Sequence, residues 1–168
     1  PMLDRTTRNL TENQELLTAP ADTTVSEAAR LMKQRHVGAV MVVEDGRLVG
    51  VFTERDALFR VVAEGRDTKT TPLAGVMTHN PKTVGPDQSF AFALRMMYDG
   101  GFRHVPVVED GKPVGIVSVR DALGPDEARP VVTQVRGHLV EGLGHAHDLI
   151  GPLGGKAYVE RAGGHLRQ

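Results

Sequence analysis

The sequence predicts an α/β (α+β) fold in which one small unit is used twice, and three observations carry that expectation. First, the chain repeats itself at a fixed offset of 65 residues. Val43-Glu44-Asp45-Gly46 recurs as Val108-Glu109-Asp110-Gly111, and Arg55-Asp56-Ala57-Leu58 as Arg120-Asp121-Ala122-Leu123. Between 38 and 58, 12 of 21 positions are identical to their partners without a gap, which marks an internal duplication. Second, each copy alternates short apolar runs with apolar residues at helical spacing. Third, an Asp-Gly turn joins two apolar runs in both copies, the signal of a β-hairpin.

Each copy reads as strand, helix, strand, strand, helix. In copy one (12–65), "ELLTA" is a short strand. Thr24 and Glu27 stand at capping-box spacing before a helix with apolar Val25, Ala28, Leu31 and Met32. "VGAVMVV" is a buried strand, "EDG" the turn and "RLVGVFT" the returning strand. "RDALFRVVAEG" is a second helix that Gly65 can end. In copy two (76–124) the same order runs through "PKTV", "SFAFALRMMYDG", "FRHVPVV", "EDG", "KPVGIVS" and "RDALG". A polar linker (66–75) joins the copies, a segment (1–11) precedes them and an extension (125–168) follows. Half of such a repeat cannot bury both faces of its sheet, so the copies are expected to pack sheet against sheet.

Composition excludes several classes. The chain has 168 residues, enough for one compact domain with a real core. A net charge of −1, with no basic stripe, gives no electrostatic reason to expect nucleic acid. There is no Cys, so disulfides and thiolate metal sites are excluded, which fits a reducing compartment. The longest apolar run, Val37 to Val43, is too short to span a bilayer, and no signal-peptide pattern opens the chain. The expectation is a cytoplasmic protein with no membrane partner.

Both copies place a hydroxyl residue three positions before an Asp at a strand-to-helix junction: Thr53 with Asp56, and Ser118 with Asp121. The segment "VMTHNPKTVGPDQSFAFALRMMYDGGFRHVPVVEDGKPVGIVSVRDAL" resembles a cystathionine-β-synthase (CBS) domain. All of 12–124 resembles a tandem CBS pair, or Bateman module, with two β-α-β-β-α motifs about a pseudo-two-fold axis. Copy one departs from the pattern: it lacks the "MT-x-x-P" entry, and Met41 stands where copy two has Pro106.

The resemblance implies sites for AMP, ADP, ATP or a related adenosyl compound such as S-adenosylmethionine, with no cofactor required. Asp56 and Asp121 would accept hydrogen bonds from ribose hydroxyls, and Thr53 and Ser118 would meet phosphate at the helix start. Strand glycines would let the ligand approach the backbone. Each cleft is shared between copies in this family. One site would join Leu17, Thr18, Val37, Gly38 and Ala39 to Ser118 and Asp121. The other would join Lys82, Thr83, Phe102, Arg103 and His104 to Thr53 and Asp56. The competing reading is that each Thr/Ser-x-x-Asp is an ordinary helix cap and that Arg103 and His104 form a solvated strand edge.

Met32, Met96 and Met97 read as core filling. His138, His145 and His147 invite a metal, but no carboxylate pattern completes the set. No nucleophile triad, Walker loop or paired carboxylates support catalysis. The expected function is a non-catalytic sensor of an adenine nucleotide, acting on an unknown regulated protein and forming a homodimer through "LFRVVAEG" and "AFALRMMYDGG". The alternatives are an interaction module with degenerate ligand sites, or an enzyme or metal site in the extension.

Overall fold

The computed structural model describes residues 2–123. The expectations for 125–168, His138, His145 and His147 among them, lie outside the described residues. Helix α1 (Thr7–Thr11) comes first, then strand β1 (Thr18–Ala19), helix α2 (Val25–Arg35), and strands β2 (Ala39–Glu44) and β3 (Arg47–Thr53). Helix α3 starts as α-helix at Glu54–Asp56 and widens into a π-helix at Ala57–Val62. A 3₁₀ turn at Leu73–Gly75 leads to β4 (Thr78–His79), α4 (Phe90–Gly100), β5 (His104–Glu109) and β6 (Lys112–Ser118). A second 3₁₀ turn occupies Val119–Leu123. Among the described residues no helix is long and apolar enough to cross a membrane.

The duplication extends to hydrogen-bond register. In copy one β1 runs parallel to β2, with Ala19 opposite Val42; in copy two Val84 makes a parallel bridge to Val107, the same pair shifted by 65. Both hairpins carry a register shift at the same place, between Val42 and Val43 and between Val107 and Val108. Both turns put two residues at positive φ, Asp45 (50°) with Gly46 (75°) and Asp110 (51°) with Gly111 (79°). That is the twist-matched turn the Asp-Gly signal predicts.

Side-chain caps start the helices where the sequence places them. Thr24 accepts from the Glu27 N–H, and the Glu27 carboxylate accepts from the Thr24 N–H at 3.0 Å. Ser89 caps α4 at the equivalent position. The apolar faces of these helices close two cores. Val25, Ala28 and Met32 pack with Val40, Val42 and Phe52; Phe90, Ala93 and Met97 pack with Val105, Val107 and Val117. Between the sheets a third cluster joins Ala39, Met41 and Val51 to Leu16, Leu48 and Ile116. Met41, the departure from the family pattern, is buried there.

The entry segments are exchanged between copies. Leu73 N–H donates to Thr23 O at 2.8 Å and Ala74 N–H to Ala21 O at 2.9 Å, so the end of the expected linker docks on copy one. Leu73 is fully buried, and the polar linker therefore ends before it. Reciprocally, Thr7 N–H donates to Gln88 O and Phe90 N–H to Arg5 O, which docks the segment before copy one on copy two. The buried Thr7 hydroxyl donates to Gly85 O at 2.8 Å. Thr24 bridges Pro72 just as Ser89 bridges Thr6.

Candidate functional site

Entry exchange brings the start of copy two's strand pair against the β3–α3 junction of copy one, and a cleft of 880 Å³ opens there. Thr53 and Asp56 line it from one copy; Lys82, Phe102, Arg103 and His104 line it from the other. Thr83 is exposed and stands outside the lining.

The Thr53-x-x-Asp56 motif is a reciprocal cap. Asp56 Oδ2 accepts from the Thr53 N–H and from its hydroxyl, both at 2.9 Å, and Asp56 N–H donates to Thr53 Oγ1 at 3.3 Å. The second carboxylate oxygen, Oδ1, lies 3.4 Å from Arg60 Nε. Arg60 itself donates to the main-chain oxygens of Val76 and Met77 at 3.2 and 2.8 Å, which ties α3 to the incoming copy-two entry. Arg55 donates to Gly101 O at 3.1 Å and sits 5.5 Å above the Phe59 ring, a cation–π contact at the cleft wall. Neither Lys82 nor Arg103 forms an ion pair with another described residue, so both ammonium and guanidinium remain available to an anion.

Burial holds the His104 imidazole below its ordinary range, against the opposing pull of Glu54 and Asp121, while Arg103 and Arg120 lower it further. Near neutral pH it is a hydrogen-bonding ring more than a third cation.

The second expected site is placed differently. Ser118 and Asp121 form the matching cap, with Ser118 N–H 2.6 Å and Ser118 Oγ 3.2 Å from Asp121 Oδ2. Leu17 packs on the core of copy one, Thr18 lies in β1 opposite Met41, and Ala39 is buried between the sheets. Val37 is exposed. None of these six lines the Asp56 cleft, whereas Gly38 does.

Two further features were not read from the sequence. Glu54 lines the cleft; its counterpart is Val119, a difference visible in the repeat. The strand glycines are required by packing: a Cβ at Gly50 would meet the Met77 sulfur, and one at Gly115 would meet Thr11. No cluster of three or more potential metal ligands occurs among the described residues.

Comparison with known proteins finds the same two-fold repeat. A family model described as CBS domain matches residues 10–63 and 73–124. The chain is 38% identical over 107 residues to the CBS domain-containing protein CBSX3, mitochondrial, of Arabidopsis thaliana, covering 61% of this chain and 52% of that one. It thus spans about half the length of that relative. Among solved structures it is similar to the CBS domain protein PAE2072 from Pyrobaculum aerophilum complexed with AMP, with a TM-score of 0.66 and 27% identity over 77% of this chain and 99% of that one. It is also similar to the CBS domain pair of protein MJ0100 in complex with 5′-methylthioadenosine and S-adenosyl-L-methionine, with a TM-score of 0.63 and 25% identity, covering 70% of this chain and 96% of that one.

Proposed function

The chain belongs to the CBS domain family, and from that premise we propose that it is a non-catalytic regulatory module whose Asp56 cleft binds an adenine nucleotide or a related adenosyl compound. The observation that carries this reading is the convergence, in one cleft, of a helix-start carboxylate, an aromatic ring and two cations without ion-pair partners among the described residues. The two solved neighbours hold AMP in one case and adenosyl thioether and sulfonium compounds in the other, which supports the same ligand class here.

The geometry divides the work among the groups. Asp56 Oδ1, which pairs with Arg60 but stands outside the cap, is the oxygen that would accept from ribose hydroxyls, because Oδ2 already accepts two hydrogen bonds from Thr53. The Thr53 hydroxyl already donates its hydrogen to Asp56, so the phosphate role passes to Lys82 and Arg103. Phe102 offers an apolar face for the base. Regulation requires that ligand-bound and ligand-free shapes differ in their affinity for a partner. Exposed Leu58, Phe59 and Val62 on α3, with Phe92 and Tyr98 on α4, offer a self-association surface; we expect a dimer mass in light scattering, and a monomer at tens of micromolar overturns that part.

The deciding measurement is a melting-temperature panel with AMP, ADP, ATP, S-adenosylmethionine and NAD. A ligand that binds the folded state raises the midpoint by mass action. No shift with any of them at millimolar concentration overturns the reading.

A further inference from the structure

Glu54 and Gly38 form a pair that the duplication does not preserve. Glu54 opens α3, its N–H donates to Gly38 O at 3.1 Å, and its carboxylate lies over Gly38 where any larger side chain would collide with it. In copy two the same main-chain bond joins Val119 N–H to Arg103 O, also at 3.1 Å. One junction therefore holds a carboxylate over a glycine, and its counterpart holds a valine beside an arginine. Glu54 and Arg103 both line the Asp56 cleft.

The cleft is bipolar as a result. Lys82 and Arg103 supply positive charge from copy two. Asp56 has its charge offset by Arg60, whereas Glu54 makes no ion pair with a described residue. An anion seated on the two cations gains their attraction, but each further negative charge also meets the Glu54 carboxylate; Glu54, Lys82 and Arg103 are all exposed, so solvent screens both effects in part. We propose that Glu54 limits the negative charge this cleft accepts and so makes it prefer an adenosine monophosphate to a triphosphate. This inference rests on the nucleotide reading given above and adds the ligand's charge class to it.

The test is titration calorimetry with AMP and with ATP, in magnesium-free buffer, on the unaltered chain, Glu54→Gln and Glu54→Val. The valine copies the residue at 119. Melting curves without ligand establish that the variants are folded, and two substitutions of different polarity guard against a local packing effect in either. We expect ATP affinity to rise about two- to five-fold relative to AMP in both variants, with the gain shrinking as salt is raised. Equal changes for the two nucleotides, or an unchanged ratio, overturn the charge limit while leaving nucleotide binding intact. Failure of the unaltered chain to bind either nucleotide overturns both readings together.

Discussion

The Gln14 side-chain amide holds both main-chain groups of Ile116: Nε2 donates to Ile116 O at 2.9 Å, and Ile116 N–H donates to Oε1 at 2.7 Å. The equivalent edge of copy one is closed differently, by β4 pairing Thr78 with Val51 and His79 with Gly50. Shifted by 65, Gln14 corresponds to His79 and Ile116 to Val51. A strand closes one edge and a single amide closes the other, which covers part of a β6 edge otherwise open to pairing with another chain.

Replacing Gln14 by Ala should therefore raise the exchange rate of the Ile116 amide and lower stability. The site is exposed, so water takes over part of the bonding, and the loss should be about 0.5–1.5 kcal/mol in urea denaturation. Gln14→Glu retains an acceptor for the N–H but sets a carboxylate against the Ile116 carbonyl, and should be no better than Ala. Unaltered Ile116 exchange in Gln14→Ala would contradict the assignment.

Gly50 and Gly115 are equivalent by sequence but differ in what they face. A Cβ at 50 meets the far end of the flexible Met77 side chain; a Cβ at 115 meets Thr11 at its own Cβ, which is fixed to the α1 backbone. Gly115→Ala should cost more than Gly50→Ala, with overpacking of about 1–3 kcal/mol at 115. Thr11→Gly should recover part of the loss at 115. Equal midpoints for the two alanine variants in chemical denaturation would refute the distinction.

His104 predicts a pH dependence whose sign follows from burial. Its folded pKa lies below the ordinary value of 6.5, so between the two the unfolded chain binds more protons than the folded one. The contribution is then fully present above 6.5 and falls as pH drops through that value toward the folded pKa. Melting temperature should decline on acidification from pH 7.5 to 5.5, and His104→Gln should flatten that slope. A slope unchanged by the substitution would assign it to other groups.

The two Asp residues should be unequal for phosphorylated ligands. Asp56 shares a cleft with Lys82 and Arg103, whereas Asp121 lies outside that cleft. A charge-assisted contact contributes about 1.5–3 kcal/mol, or roughly ten-fold or more in affinity. Calorimetry should show Asp56→Ala losing AMP affinity by that factor or more and Asp121→Ala by less. A larger loss at Asp121 would reverse the assignment.

Much of this protein follows from local rules that act within a dozen residues. The Asp-Gly pairs set the hairpin turns, Thr24 and Ser89 set helix starts, and Gly65 at a positive φ of 63° ends α3. The duplication then carried one copy's register into the other, because Val84 with Val107 must repeat Ala19 with Val42 when the same residues meet the same neighbours. The pairing of Asp56 with residues 82 and 102–104 in one cleft came from family resemblance, not from spacing. Tertiary structure decided what depends on contacts between distant segments. Docking of Thr7 on Gly85 and of Leu73 on Thr23, the Gln14 clasp on Ile116 and the contact of Gly115 with Thr11 all join residues about 50 to 100 positions apart. No periodicity records such meetings, because they are chosen by which buried polar groups and apolar faces remain to be satisfied once the local elements have formed.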